Sequence, residues 1–358
     1  MLSLPEARET GPESVLLGLD LGGAHLKAAL LLAGKPVAIR EVACRLWEGL
    51  DRLEAAFSDA LADWPEPGSV ALTMTGELVD LFPDRATGVL RLLDAVTTRF
   101  PGRQLVLWST NGFLAPEAAA AAPLAVASAN WCATAELLAR RLPAGILVDI
   151  GSTTTDLVPF AGGRVRARGL DDAGRLAEGE LVYQGIVRTP LMALAERVPF
   201  RGRPSGVMAE YFATTADVFR LLGRLEEDFD RHPAADGGPK TVEGSARRLL
   251  RMIGADLGPA SLEEARILAA VFAEAQLRRI ADGLALLLSR GELSEDAPLV
   301  AAGCGAFLVE ELARRTGRRA TDLATVLGLE GGLARWARVA APALAVALLA
   351  LEARAQAA

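Results

Sequence analysis

The sequence predicts an α/β protein of two duplicated lobes with a cleft between them, and three observations predict it. Strand-length apolar runs alternate with helix-period segments, as in 69–75, 88–100 and 104–108, which implies a mostly parallel sheet covered on its faces. A carboxylate followed by a glycine turn and a returning apolar run occurs twice, at Asp20 and at Asp149. The chain has 358 residues, 51% of them hydrophobic, enough to fill two lobes rather than one small core.

The apolar run 15–19 ends in Asp20, turns through Leu21-Gly22-Gly23-Ala24 and returns along 25–32 until Gly34-Lys35-Pro36 stops it. That return has the length of a strand, so the turn opens a hairpin and not the helix of a Rossmann or P-loop site. A third strand follows over 34–42, then helical spacing through Leu50, Leu53, Phe57 and Leu61. Strand 69–75, a helix over 88–100 and strand 104–108 come next, with Asn111-Gly112 a turn and 118–122 a helical turn between two prolines. A helix over 130–141 closes the first lobe, expected over 14–143.

The second lobe, expected over 144–330, starts with the apolar run 145–148, the turn Asp149-Ile-Gly-Ser-Thr-Thr-Thr-Asp156 and a return through Phe160. Beyond it the pattern gives a strand over 164–169, loops over 171–179 and 199–206, a helix over 209–229 and a polar, Gly- and Pro-rich lid candidate over 230–243. Helices over 246–253 and 261–290 follow, the latter opened by Ser261-Leu-Glu-Glu264 as a capping box. A buried strand over 298–302 reaches Gly303-Cys-Gly305 and a helix, and 323–327 reads as a last strand. Residues 331–358 form a C-terminal helix.

The chemistry concentrates in the turns. Gly22, Gly23 and Gly151 let backbone approach a ligand, and Ser152, Thr153, Thr154 and Thr155 offer hydroxyls, with the turn amides, to phosphate oxygens. Asp20 and Asp149 end strands where a carboxylate holds Mg²⁺ directly or through water, and hairpin capping is their plainer reading. Asp156 is a third acid at the same turn, and Lys27 lies where its ammonium reaches phosphate, unless it is a solvated strand lysine. His25 reads as a polar turn residue near any ligand, since a chain with two histidines has no histidine metal cluster. Gly303 and Gly305 join a strand to a helix, where amides cradle a ligand or simply turn the chain. Tyr183 and Arg188 suit an aromatic or acidic substrate.

Three segments carry a family resemblance. Asp20-Leu-Gly-Gly23, the turn 149–156 and Ala301-Ala-Gly-Cys-Gly305 resemble the first phosphate, second phosphate and adenosine segments of the actin, sugar kinase and heat-shock ATPase superfamily. More narrowly the chain resembles the hydantoinase A-like branch, and Thr73-Met-Thr-Gly-Glu77, Ser128-Ala-Asn-Trp131, Gly179-Glu-Leu-Val-Tyr183 and Arg188-Thr-Pro190 fit a narrower family within it. Within that branch the chain is similar to the one-carbon-pathway proteins that include a condensing enzyme of methanofuran biosynthesis. The resemblance implies an actin-like (ribonuclease H-like) fold and a C-terminal helix crossing back to the first lobe. It also implies a transferase that joins an aminomethyl-furan-methyl diphosphate to the phenol oxygen of a tyramine-type acceptor with Mg²⁺. The same cleft suits ATP, as in kinases or ATP-dependent hydantoinases and oxoprolinases, or a nucleotide-dependent interaction protein.

Net charge of −7 without a long basic run speaks against nucleic acid and anionic membrane as partners. Three scattered cysteines make neither a disulfide scaffold nor a zinc site, so a reducing cytoplasm is the expected compartment. Residues 1–14 lack the pattern of a secretion signal, and the apolar stretch 339–351 is too short to span a bilayer. A homodimer is compatible with all of this.

Overall fold

The computed structural model describes residues 14–258 and 261–357, so the expectation of no secretion signal falls almost wholly outside it. The chain opens with β1 (Val15–Leu21), β2 (His25–Leu32) and β3 (Lys35–Ala43), then α1 (Asp51–Leu61), β4 (Ser69–Met74), α2 (Arg85–Arg99), β5 (Gln104–Ser109) and β6 (Gly112–Leu114). Helices α3 (Pro116–Ala121) and α4 (Asn130–Ala139) lead to β7 (Ala144–Ile150), β8 (Thr155–Ala161) and β9 (Arg164–Val165). After α5 (Asp172–Ala177) and β10 (Leu181–Val182) comes a ribbon of β11 (Arg197–Phe200) and β12 (Arg203–Gly206). Helices α6 (Thr215–Leu221), α7 (Val242–Arg251) and α8 (Ser261–Leu288) precede β13 (Leu299–Ala302) and α9 (Val309–Thr316). The chain ends with β14 (Ala320–Asp322), α10 (Leu323–Val326), α11 (Gly331–Val339) and α12 (Ala341–Ala357).

Two main sheets repeat one strand order. The first runs β3-β2-β1-β4-β5-β6 and the second β10-β8-β7-β13-β14, so in each the opening hairpin strand lies centrally with a later strand beside it. β1 pairs antiparallel with β2 and parallel with β4, and β4 parallel with β5. This is the α/β architecture the sequence predicts.

By contacts the chain divides into two compact units. The first takes the described parts of Met1–Leu147, Val158–Asp172 and Thr321–Ala358, and the second Val148–Leu157 and Ala173–Ala320. In the first unit, leucines of β1 and β2 pack with Phe57, Val89, Leu92 and Phe100 from the covering helices. Helix α12 lies on β1, β2 and β4, and its residues from Ala341 to Ala347 are all buried, which accounts for a segment apolar all round. Gly18 makes that docking possible: a Cβ there would stand 2.0 Å from the Ala343 carbonyl oxygen. Among the described residues no single helix is long and apolar enough to cross a membrane. In the second unit a helical cluster of α6, α7 and α8 has its own core around Val218, Leu249, Leu268 and Phe272.

Five local expectations are corrected. The loop expected over 199–206 is a hairpin, because Arg201 (φ +47°) and Gly202 (φ +74°) form a two-residue turn of the left-handed kind that suits strand twist. The segment 171–179 contains α5, and the strand expected over 323–327 is α10, capped by Asp322 accepting from the Thr325 N–H. The helix expected over 209–229 is confined to α6, between a Thr214/Asp217 capping box and Gly223 at φ +65°. At the start of α8 the Ser261 hydroxyl accepts from the Gly258 N–H while Glu264 is forked by Arg201.

Candidate functional site

In the second unit, β7 carries Asp149 to its end, and the Gly151 N–H donates to the Thr154 carbonyl (2.8 Å), closing a tight turn. The next segment braces it: Ile186 N–H donates to Gly151 O (3.0 Å), and Val187 and Arg188 N–H to Ser152 O (3.1 and 2.9 Å). With those carbonyls held from one side, the N–H groups of Ser152, Thr153 and Thr154 make no hydrogen bond to another described residue. Successive free amides beside two hydroxyls are a donor set of the kind that suits an anion.

Close approach demands glycine at the contacts. A Cβ on Gly185 would stand 2.4 Å from Ser152 C and Thr153 N. Gly303, at φ +80°, leaves no room either, since a Cβ would stand 2.2 Å from Ile150 O and 2.5 Å from Asp149 Oδ1. The Gly305 N–H donates to Ile150 O (2.7 Å). Asp149, the turn 151–154, Gly303 and Gly305 therefore lie together within this unit as a candidate site.

Other expected residues have different surroundings. The Thr155 hydroxyl is buried and donates to Gln184 O (2.8 Å), so it braces the turn from within. Asp156 pairs with the buried Arg175 (2.8 Å). Tyr183 is exposed, and Arg188 is joined to the turn through its backbone. The lid candidate over 230–243 is held by Arg220 to Asp230 (2.5 Å) and Arg248 to Asp236 (3.0 Å), and within it Lys240 donates to the Asp230 carbonyl (2.5 Å).

The first unit repeats the design. Asp20, buried, lies opposite Lys27 in the β1–β2 register and pairs with it at 3.5 Å. Gly22 N–H donates to His25 O (3.0 Å), and the turn carbonyls of Gly23 and Ala24 accept from Leu46 and Cys44 N–H. The Gly23 and Ala24 N–H groups again have no described partner. His25 is a buried first residue of β2, not an open turn residue. Burial pushes the Cys44 thiol up to about 11, so it is inert at neutral pH.

Sequence reasoning passed over Gly185 and the residues that hold it. The Gly185 carbonyl accepts from Thr215 Oγ1 (2.8 Å), Gln276 Nε2 (2.8 Å) and Thr189 Oγ1 (3.1 Å), all buried. A glutamine on the inner face of the long apolar helix α8 was the available signal, because a buried amide needs a partner.

A model of the hydantoinase/oxoprolinase family matches residues 69–332. The chain belongs to that family. The matched span of this hydantoinase/oxoprolinase chain includes the Asp149 turn and Gly303, while the Asp20 turn precedes it. A protein of Methanocaldococcus jannaschii is 36% identical over 244 residues, 68% of this chain and 72% of that relative. It is named (4-{4-[2-(gamma-L-glutamylamino)ethyl]phenoxymethyl}furan-2-yl)methanamine synthase. A protein of Methanococcus vannielii with the same name is 37% identical over 119 residues, 33% of this chain and 53% of its own. Among solved structures, nucleotide-free acetone carboxylase shares the fold, with a TM-score of 0.56 at 12% identity over 83% of this chain and 66% of that one.

Proposed function

We propose that this chain is a transferase of furan-cofactor biosynthesis. It joins an aminomethyl-furan-methyl diphosphate to the phenol oxygen of a glutamyltyramine-type acceptor and releases diphosphate. The observation that carries the reading is the 36% identity, over 68% of the chain, to a relative named for the ether product of that condensation. The turn chemistry supports it: the free amides of 152–154 and of 23–24 suit phosphate oxygens.

The donor set fits Mg²⁺. Asp20 and Asp149 are hard oxygen donors at strand ends, and no three His, Cys, Asp or Glu side chains gather into a cage among the described residues. That suits a cation that keeps waters and takes the rest of its ligands from phosphate. When bound, Mg²⁺ neutralises charge on the departing diphosphate.

In the reaction the bond from the furfuryl carbon to the phosphate oxygen breaks, and its electron pair leaves on diphosphate. The phenol oxygen forms the new bond to that carbon, and the phenol proton passes to a base. In the second unit the amides of 152–154 suit the growing phosphate charge, and Arg188 and Tyr183 are assigned to the acceptor's carboxylate and ring; in the first unit Lys27 is the cation suited to phosphate. The compartment is proposed to be cytoplasmic.

The test combines melting curves with turnover. Diphosphate with Mg²⁺ should raise the melting temperature, by an amount equivalent to about 2.7 kcal/mol at a hundredfold excess over Kd, and ATP should not. Mass spectrometry of the synthetic furan diphosphate with γ-glutamyltyramine should show the ether, and Asp149→Ala should abolish it without loss of cooperative melting. Protection by ATP alone, with no ether formed, would replace this reading with an ATP-dependent one.

A further inference from the structure

A buried acid outside the turns has no role in the reaction so far. Glu77 follows β4 and is 1% exposed. Its Oε1 accepts from the Ser128 hydroxyl at 2.8 Å, and its Oε2 is buried with no hydrogen-bond partner. The same hydroxyl lies 3.3 Å from Asp172 Oδ2 and accepts from Arg85 at 3.0 Å. Arg85 stands 3.6 Å from Glu77 and 3.8 Å from Asp172. The Asp172 side chain, unlike Glu77, is open, at 25% exposure.

Three features mark the cluster as built. Ser128 has φ +50°, a left-handed backbone that a β-carbon disfavours, and it places the hydroxyl between the two carboxylates. Gly88 brings α2 directly onto Glu77, since a Cβ there would stand 2.7 to 2.9 Å from the Glu77 O, Cα and Cβ atoms. The residues flanking Glu77 touch the first glycine turn: a Cβ on Gly76 would stand 3.0 Å from Leu21 O, and one on Gly23 2.6 Å from Val79. The cluster thus lies at the carboxyl ends of the parallel strands β1 and β4, where open α/β sheets bind ligands.

We propose that Asp172, Ser128 and Glu77 form a proton relay that takes the phenol proton of the acceptor, an inference that rests on the transferase reading above. One hydroxyl proton serves only one carboxylate at a time. Asp172 accepts the proton as the phenol O–H breaks, then passes it to Ser128 Oγ while the Ser128 proton moves to Glu77 Oε1. Burial makes Glu77 the sink, because a neutral acid tolerates an unpaired buried oxygen better than an anion does. Arg85, 3.8 Å from Asp172, stands beside the relay as its cation. Asp172 meets the substrate, and Ser128 and Glu77 act through it as positioning and relay residues.

The experiment measures ether formation by wild type, Glu77→Gln, Asp172→Asn and Ser128→Gly, with tyramine-type acceptors carrying an ordinary or a ring-fluorinated, more acidic phenol. Glycine accepts the Ser128 backbone at φ +50°, so that variant removes the hydroxymethyl group without straining the chain. Each variant should lose about 100-fold or more in kcat with the ordinary phenol. Each should regain at least about tenfold of that loss with the acidic one, since a more acidic phenol needs less help from a base. Diphosphate protection in melting curves should stay as in wild type. An active wild type matched within about threefold by Glu77→Gln and Asp172→Asn, or an equal loss with both phenols, overturns the relay alone. A wild type that forms no ether overturns the transferase reading, and the relay with it.

Discussion

Gly185→Ala is the sharpest probe of how the turn 151–154 is held. The new Cβ would stand 2.4 Å from Ser152 C and Thr153 N and 2.5 Å from Gly151 O, where ordinary contact begins at 3.4 Å. All three are backbone atoms, so no side chain can rotate away, and the brace and turn must part by about 1 Å. The hydrogen bonds from Ile186 and Val187 to the turn, now 3.0 and 3.1 Å, would then stretch to about 4 Å, beyond useful range. Lost bonds of about 1 kcal/mol each make a destabilisation of roughly 2–3 kcal/mol. A misplacement of about 1 Å at a reacting site costs on the order of 100-fold in rate, or about 2.7 kcal/mol of transition-state stabilisation. The assay is initial-rate ether formation with diphosphate protection in parallel. Gly206→Ala in the same unit serves as control, because a Cβ there meets nothing within 4 Å. Turnover by Gly185→Ala within about threefold of that control would refute the reasoning that the brace sets the turn.

Gly18→Ala should unseat α12, since its Cβ would meet the Ala343 carbonyl oxygen, and cost about 3 kcal/mol, read as a melting temperature lower by roughly 5–10 °C; unchanged melting would show that the helix docks elsewhere. Arg175→Met should destabilise by about 3 kcal/mol because it leaves Asp156 beside an uncharged side chain, and Asp156→Leu added to it should restore most of the loss; denaturant titration of both variants decides. Burial, against the pull of Ser128 and Arg85 and with Asp172 pushing the same way, holds the Glu77 carboxyl above its ordinary 4.5. The fold therefore favours protonated Glu77, a contribution complete below pH 4.5 and lost as pH rises through the raised value. Glu77→Gln should gain stability relative to wild type across that rise, measured by denaturation at several pH values, and a pH-independent difference would contradict it.

The elements read correctly from the sequence are those whose cause is local. The β1–β2 hairpin needs only an apolar run, Asp20 and a glycine pair, and the turn at Gly151 repeats that recipe. Elements misread were decided by turn geometry or capping: Arg201 accepts a left-handed backbone that its side chain does not advertise, and Asp322 caps a helix where β-branched and apolar neighbours suggested a strand.

Of the candidate site, the sequence alone picked out the proposed donors. Asp20, Asp149, the two glycine turns and Gly303 are recognisable because a carboxylate followed by glycine at a strand end is a pattern of adjacent residues. Only the tertiary structure decided which of those groups are committed elsewhere, as Thr155 is to Gln184 and Asp156 to Arg175. It alone brought Gln276 to the Gly185 carbonyl and Ser128 to Glu77, partners 91 and 51 residues apart. Their pairing leaves no periodic trace, because a buried hydrogen bond depends on where two distant segments pack and not on the residues beside either one.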